Sequence, residues 1–311
     1  MLDPWRTLAA LGLEAAVGYP DRLHQLIPHP VTWAGRVISF LEQSWNRPDW
    51  SAAIRRGLGV VTLLLIAGAA ALAGWLLDLY LLHGWPALIT LLLATTGLAQ
   101  RSLHTHVAAV SAALEQNDLE GARRAVGMIV GRDVTALDRS GIAAAALESL
   151  AESFCDGVIA PAFWLLACGL AGLFAYKAVN TADSLIGHRE ACWRAFGWAS
   201  ARTDDLLNLI PARLAGLLLV LAAGGGWRVM WRDAAKHESP NAGWSEAAMA
   251  GGLQIQLGGP VAYDRVPHPR PWFGDGARPE AAALRRGLHV YKRACGLFWL
   301  LLAAGGLAWR H

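Results

Sequence analysis

Uncharged apolar residues fill positions 57–77, about the twenty that an α-helix needs to cross roughly 30 Å of hydrocarbon. Arg55 and Arg56 stand just before this run and mark a cytoplasmic end. A short link over 78–84 leads to a second apolar run, 85–99, closed by Arg101, so the two are expected to form a helical hairpin whose tip, without Lys or Arg, faces outward. Residues 206–226 form another span, and 295–309 a last, short one that tilts or inserts only in part. The stretch 158–176 is apolar too, but Pro161, Gly169 and Gly172 interrupt it. It reads either as one kinked span or as two half-helices that return to the same side. A single crossing would put Lys177, Arg189, Arg194 and Arg202 outside, against the positive-inside rule, so the re-entrant hairpin is favoured. Between the spans lie two polar inserts, 100–153, helical in period and carrying Arg123, Arg124, Arg132 and Arg139, and 227–294, rich in Pro and Gly. In the second, residues 239–243 read as a loop, Ser245 and Glu246 open a capped helix, and Gly258-Gly259 ends it. The pattern predicts an all-α, polytopic helical membrane protein, one domain over residues 1–311, with cytoplasmic helical inserts.

Composition points the same way. With 55% hydrophobic residues, 16% charged residues and a mean hydropathy of +0.34, the chain has more apolar surface than one soluble core of its size buries. Trp50, Trp75, Trp85, Trp227, Trp231 and Trp309 flank the apolar runs, where indole rings favour the hydrocarbon–headgroup boundary. The net charge of +3 comes from scattered Arg, which excludes a phosphate-tracking nucleic-acid surface and makes membrane lipid the partner. Cys155, Cys168, Cys192 and Cys295 are far apart and read as reduced, buried small residues. Asp3 beside Arg6, and Glu14 within the first apolar stretch, do not make a secretory signal, so the protein is expected to stay in the membrane that made it.

Chemistry is concentrated in a few segments. Glu148, Glu152 and Asp156 recur every four residues and are expected on one helical face, where three carboxylates repel unless a cation joins them. Oxygen ligands of this kind suit Mg²⁺ shared with nucleotide phosphates, and the plain alternative is a solvated helix face. Lys177, Thr181, Ser184 and His188 can share a second face, with Asn180 and Asp183 beside them. Asp204 and Asp205 precede a span, Asn208 lies one turn on, and Arg213 falls within the apolar run. Pro211 leaves the carbonyl of Leu207 without its helical donor, so a kink would present both that carbonyl and Arg213 to a polar cavity. His29 lies between two prolines, a setting that usually marks only a turn. It and Arg36 are expected near the membrane surface. His104 and His106, two apart, point to different sides of a helix and make no metal pair. The chain has no Gly-Lys dipeptide, no Gly-x-Ser-x-Gly and no His-Glu-x-x-His, so any nucleotide use is unorthodox.

Four segments, ESLAESFCDGVIAP from Glu148, AYKAVNTADSLIGHR from Ala175, ASARTDDLLNLIPAR from Ala199 and SPNAGWSEAAMAGGLQIQLGG from Ser239, resemble the adenosylcobinamide-phosphate synthase family, CobD/CbiB. The amino-terminal PHPVTWAGRVI fits as well, and the similarity runs in family order over nearly the whole chain. The resemblance implies a multi-pass enzyme of the bacterial inner membrane, its active side cytoplasmic. Its implied reaction joins adenosylcobyric acid to (R)-1-amino-2-propanol O-phosphate, or a related aminoalcohol, with ATP and Mg²⁺. It implies Glu148, Glu152 and Asp156 as metal ligands, and Lys177, Asp183, His188 and Asp204 as catalytic residues. Asn180, Arg189, Arg213, Ser239, Asn241 and Glu246 would bind substrate or phosphate. It leaves room for a homo-oligomer or a complex with other late cobalamin-assembly membrane enzymes. Two departures stand out: Glu152-Ser153-Phe154-Cys155-Asp156 replaces a Glu-Asn-x-Ser-Asp pattern, and Gly18-Tyr19-Pro20 replaces Gly-Asp-Pro. Other classes carried alongside are a membrane sensor relative, which would shed these polar motifs, and a small-molecule transporter, against which stands the lack of an inverted repeat.

Overall fold

A computed structural model describes residues 3–19, 29–81, 84–263, 266–268 and 270–308. The described residues are predominantly helical: α1 Pro4–Val17, α2 Pro30–Trp45, α3 Ala52–Leu81, α4 Ala87–Thr95, α5 Gln100–Glu115, α6 Leu119–Gly127, α7 Arg139–Phe154, α8 Ala160–Ile186, α9 Trp198–Leu207, α10 Leu209–Ala223, α11 Trp227–Asp233, α12 Ala242–Leu253 and α13 Ala281–Ala308. Short antiparallel pairs, β1 Leu257–Gly258 with β4 Trp272–Phe273 and β2 Val261–Tyr263 with β3 Val266–His268, are the strand elements. Three helical stretches are long and apolar enough to cross a membrane, Ala52–Leu81, Arg139–Ile186 and Ala281–Ala308, and a fourth if the broken pair α9 and α10 counts as one. The run at 85–99 becomes the nine-residue α4; at 1.5 Å per residue that is about 14 Å, half a hydrocarbon core.

The chain forms two compact units. The first comprises Met1–Ala99, Ala160–Asn208 and Gly305–His311. Its centre is the packing of α3 on α8, with α2 and α9 against them, around Ile38, Leu63, Ile66, Val179, Ala182, Ile186 and Phe196. Gly74 makes this close approach possible, because a Cβ there would collide with the backbone of Leu170. Gly169 breaks α8 at φ 63°, ψ −152°, a region open to glycine. The break releases the Leu170 N–H, which donates to Asp78 Oδ2 at 2.8 Å, while Arg6 Nη2 donates to Asp78 Oδ1 at 2.6 Å. A half-buried ion pair thus caps the interrupted helix.

The second unit comprises Gln100–Ile159 and Leu209–Ala304. Here α12, with Ala247, Ala248 and Ala250 all buried, packs on α7, α10 and α11. Residues 139–153, expected within a polar insert, form the buried α7, whose run Ile142–Leu147 is almost sealed from solvent; alanine's small side chain gives this segment a mild hydropathy while letting helices close on it. The helix after Asn241 ends at Gln254, in the left-handed conformation at φ 58°, and not at Gly258-Gly259, which belong to the β1 turn. Ser239 Oγ, and not Ser245, accepts the first N–H groups of this helix, from Asn241 at 3.2 Å and Ala242 at 3.4 Å. No disulfide joins the four cysteines among the described residues; Cys155 and Cys295 are buried as expected, but Cys168 and Cys192 are exposed.

Candidate functional site

The carboxylate series at 148–156 does not survive as one face. Pro161 has no N–H to give the carbonyl of Gly157, and the chain answers with a π-helical turn over Cys155–Ile159. Such wider i→i+5 turns recur at functional sites. Glu148 is buried, Glu152 exposed and Asp156 half-buried. Both oxygens of Glu148 are taken: Gly258 N–H donates to Oε1 at 2.8 Å, and Arg132 Nη2 and Arg270 Nη1 donate to Oε2 at 3.1 and 3.5 Å. No group of three or more His, Cys, Asp or Glu among the described residues is placed to hold a metal ion. Glu148, Glu152 and Asp156 therefore do not fit a resident three-carboxylate metal centre.

The second unit builds a charge cluster around Glu148 instead. Arg270 reaches from Glu148 to Glu246, with Nη2 3.4 Å from Glu246 Oε2. His237 Nδ1 accepts the Ser239 N–H at 2.9 Å, so its hydrogen sits on Nε2, 3.4 Å from Glu246 Oε1. Burial, and then the Arg270 guanidinium, hold the His237 pKa down at about 4, so the ring is neutral at physiological pH. Burial raises the Glu246 carboxyl well above the usual range, helped by the negative charges of Glu148 and Glu152. Arg132, Arg270 and His237 are absent from the expected site set. Arg132 and Arg270 lie 16 and 122 residues from Glu148, separations at which spacing along the chain carries no signal.

Ser239, Asn241 and Arg213 adjoin one another in this unit. Arg213 Nη1 donates to Asn241 Oδ1 at 2.7 Å and to Leu209 O at 3.0 Å, and its guanidinium lies 4.9 Å from the centre of the Trp244 ring. Asn241 is buried. An arginine in an apolar helix is thus satisfied by an amide, a carbonyl and an aromatic face.

The first unit carries a separate polar group. Lys177 Nζ donates to Asn180 Oδ1 at 3.2 Å, Asn180 Nδ2 to Asp204 Oδ1 at 3.3 Å, and Asn208 Nδ2 to Asp204 Oδ2 at 2.9 Å. Tyr176 OH closes the chain on Asn208 Oδ1 at 3.1 Å. Lys177, Asn180 and Asp204 are therefore brought together, with Tyr176 and Asn208 as additional members. The helix break falls at Asn208, and the carbonyl of Leu207, which Pro211 orphans, accepts the Trp164 indole N–H at 3.2 Å. That carbonyl is filled by protein and does not face an open cavity. Asp183 is half-buried in the last turn of α8, whose end is closed by the Gly187 N–H on the Asp183 carbonyl. His188 and Arg189 are exposed beyond it, His188 with its ring 5.3 Å from that of Trp193. Near the amino terminus, His29 Nδ1 accepts the Val31 N–H and caps α2, the bland role for a proline-flanked histidine; residues 20–28 of that connection lie outside the described residues.

The model of the CobD/Cbib protein family matches residues 7–291. The chain belongs to the CobD/Cbib family. It is 49% identical over 308 residues to the cobalamin biosynthesis protein CobD of Rhodobacter capsulatus, which covers 97% of each chain. It is 45% identical over 299 residues to that of Sinorhizobium sp, covering 92% of this chain and 93% of that one. It is 43% identical over 313 residues to that of Rhizobium meliloti (strain 1021), covering 96% and 95%. No solved structure matches the chain. As a member of the CobD/Cbib family it is a protein of cobalamin biosynthesis, and its helices have the length and apolarity of membrane spans.

Proposed function

We propose that this chain is the amide-forming enzyme that joins adenosylcobyric acid to (R)-1-amino-2-propanol O-phosphate at the expense of ATP. The observation that carries this reading is the end-to-end likeness to cobalamin biosynthesis proteins CobD, 97% of both chains for the Rhodobacter capsulatus relative. A carboxylate is a poor acylating agent at neutral pH. On this reading a carboxylate oxygen of the corrinoid attacks the γ-phosphorus of ATP, the bond to ADP breaks, and an acyl phosphate forms. The amine nitrogen then adds to the acyl carbon, inorganic phosphate leaves, and the ammonium proton passes to a base. Mg²⁺ would arrive on the nucleotide phosphates and neutralise their charge, since it binds with one or two carboxylates and keeps several waters; it needs no cage of the kind Glu148 fails to make.

The chain's own groups then have defined tasks. Lys177, held by Asn180, supplies positive charge where an oxyanion develops, and Asp204, held by Asn180 and Asn208, accepts the amine proton. Arg213 with Asn241 offers a fixed donor set for a phosphoryl or amide oxygen. The setting is the bacterial inner membrane with the reaction on its cytoplasmic side. Purified protein in detergent, given adenosylcobyric acid, MgATP and either aminopropanol phosphate or ethanolamine phosphate, is expected to yield the amide, ADP and phosphate in equal amounts. ATP-independent product, or no product with any amine, contradicts the reading.

A further inference from the structure

The Nε–H of Arg132 has no hydrogen-bond partner among the described residues, although its side chain is only 10% exposed. A buried donor left unmade costs about 1–3 kcal/mol, so the position suits an acceptor that the described residues do not supply. Arg132 spends Nη2 on Glu148 at 3.1 Å. The neighbouring Arg270 stands between Glu148 and Glu246 at 3.4–3.5 Å, the long limit for hydrogen bonds, and 3.3 Å from His237 Nε2. Two guanidiniums therefore face the same pair of carboxylates, and the more buried of them, Arg132, has an unused donor. Arginine's planar fork suits tetrahedral oxyanions.

We infer that Arg132 and Arg270 form a subsite for a phosphoryl oxyanion, with Glu148 as the internal counter-ion that keeps both guanidiniums in place before the ligand arrives. Glu148 offsets one of the two guanidinium charges, and burial favours the uncharged form of Glu246, so the cluster keeps an excess of positive charge for a phosphoryl anion. The phosphate group belongs either to an aminoalkyl phosphate or to a nucleotide, and the probes below separate the two. The inference deepens the ligase reading by giving its phosphorylated substrates a binding group that no sequence motif marks.

The test measures equilibrium binding to the full chain in detergent, with four probes: 1-amino-2-propanol O-phosphate, the unphosphorylated 1-amino-2-propanol, MgATP and inorganic phosphate. Arg132→Gln is expected to weaken one phosphorylated probe at least tenfold and leave the unphosphorylated amine unchanged; which probe responds names the source of the phosphate. Arg132→Lys, which keeps charge but lacks the fork, is expected to recover only part of the loss. Arg270→Gln gives a second reading should Arg132→Gln fail to fold. Unaltered affinity for all phosphorylated probes in a folded variant, or an equal loss for the amine with and without its phosphate, overturns the subsite. The ligase assay on the unaltered chain separates the two claims, since turnover by a chain whose phosphate affinity ignores Arg132 leaves the function standing, and Arg132-dependent binding without turnover does the reverse.

Discussion

A single imidazole sets a pH dependence that Glu246 opposes. His237 has a pKa of about 4 in the folded chain against an ordinary value of 6.5. Between those values the unfolded chain binds a proton that the folded chain refuses, so stability is full above pH 6.5 and is lost as pH falls toward 4. The difference amounts to roughly 3 kcal/mol at most, at about 1.4 kcal/mol per unit. Glu246 has the opposite sign: its folded pKa is raised above 4.5, so its burial weakens the fold progressively as pH rises above that value. Thermal melts in detergent are expected to fall between pH 6.5 and 4, and His237→Gln to flatten that acid limb; an identical limb in the variant would show that another group controls it. Little of this was legible in the chain. Glu246 was picked out for its place in a polar motif, but its neighbours Arg132, His237 and Arg270 are assembled from a loop before α7, the turn before α12 and the segment before β4. Tertiary structure alone joins such segments.

Helices were read well where length decides and poorly where a break does. The charge-free run at 57–77 had to become a long helix, and α3 contains it. Pro161 and Gly169 were visible as interruptions, yet a sequence cannot say that the first yields a π-helical turn at Asp156 and the second a capped gap filled by Asp78 and Arg6. Both outcomes depend on which group supplies the missing hydrogen bond. Gly169→Ala is expected to destabilise the chain by several kcal/mol, because a Cβ there meets the Asp78 carboxylate and the residue sits at positive φ; an unchanged melting temperature would mean that the break relaxes freely. Asp78→Leu alone leaves the half-buried Arg6 and the Leu170 N–H without this acceptor, at a cost of about 1–3 kcal/mol. Adding Arg6→Met should restore most of that loss, and a double variant as unstable as the single one would show that the pair does more than neutralise itself.

For the molecule as a whole, the membrane character and the family were legible because each is written in long stretches: apolar runs for the first, four polar motifs in order for the second. The grouping of the polar residues was not. Lys177, Asn180 and Asp204 gather in one unit, and Glu148, Glu246, Arg213 and Asn241 belong to the other, where Ser239 links His237, the neighbour of Glu246, to Asn241. The central claim is that these groups serve ATP-driven amide formation on a corrinoid carboxylate. Asp204→Asn keeps the side-chain volume while removing the proposed proton acceptor and one of the two acceptors that Asn180 and Asn208 use, and is expected to lower turnover a hundredfold or more with little change in nucleotide binding. The most direct measurement follows purified protein with adenosylcobyric acid, MgATP and aminopropanol phosphate, and counts amide and ADP together. One ADP per amide, with the rate lost in Asp204→Asn, is the predicted result, and no amide from the folded, unaltered chain would contradict the account.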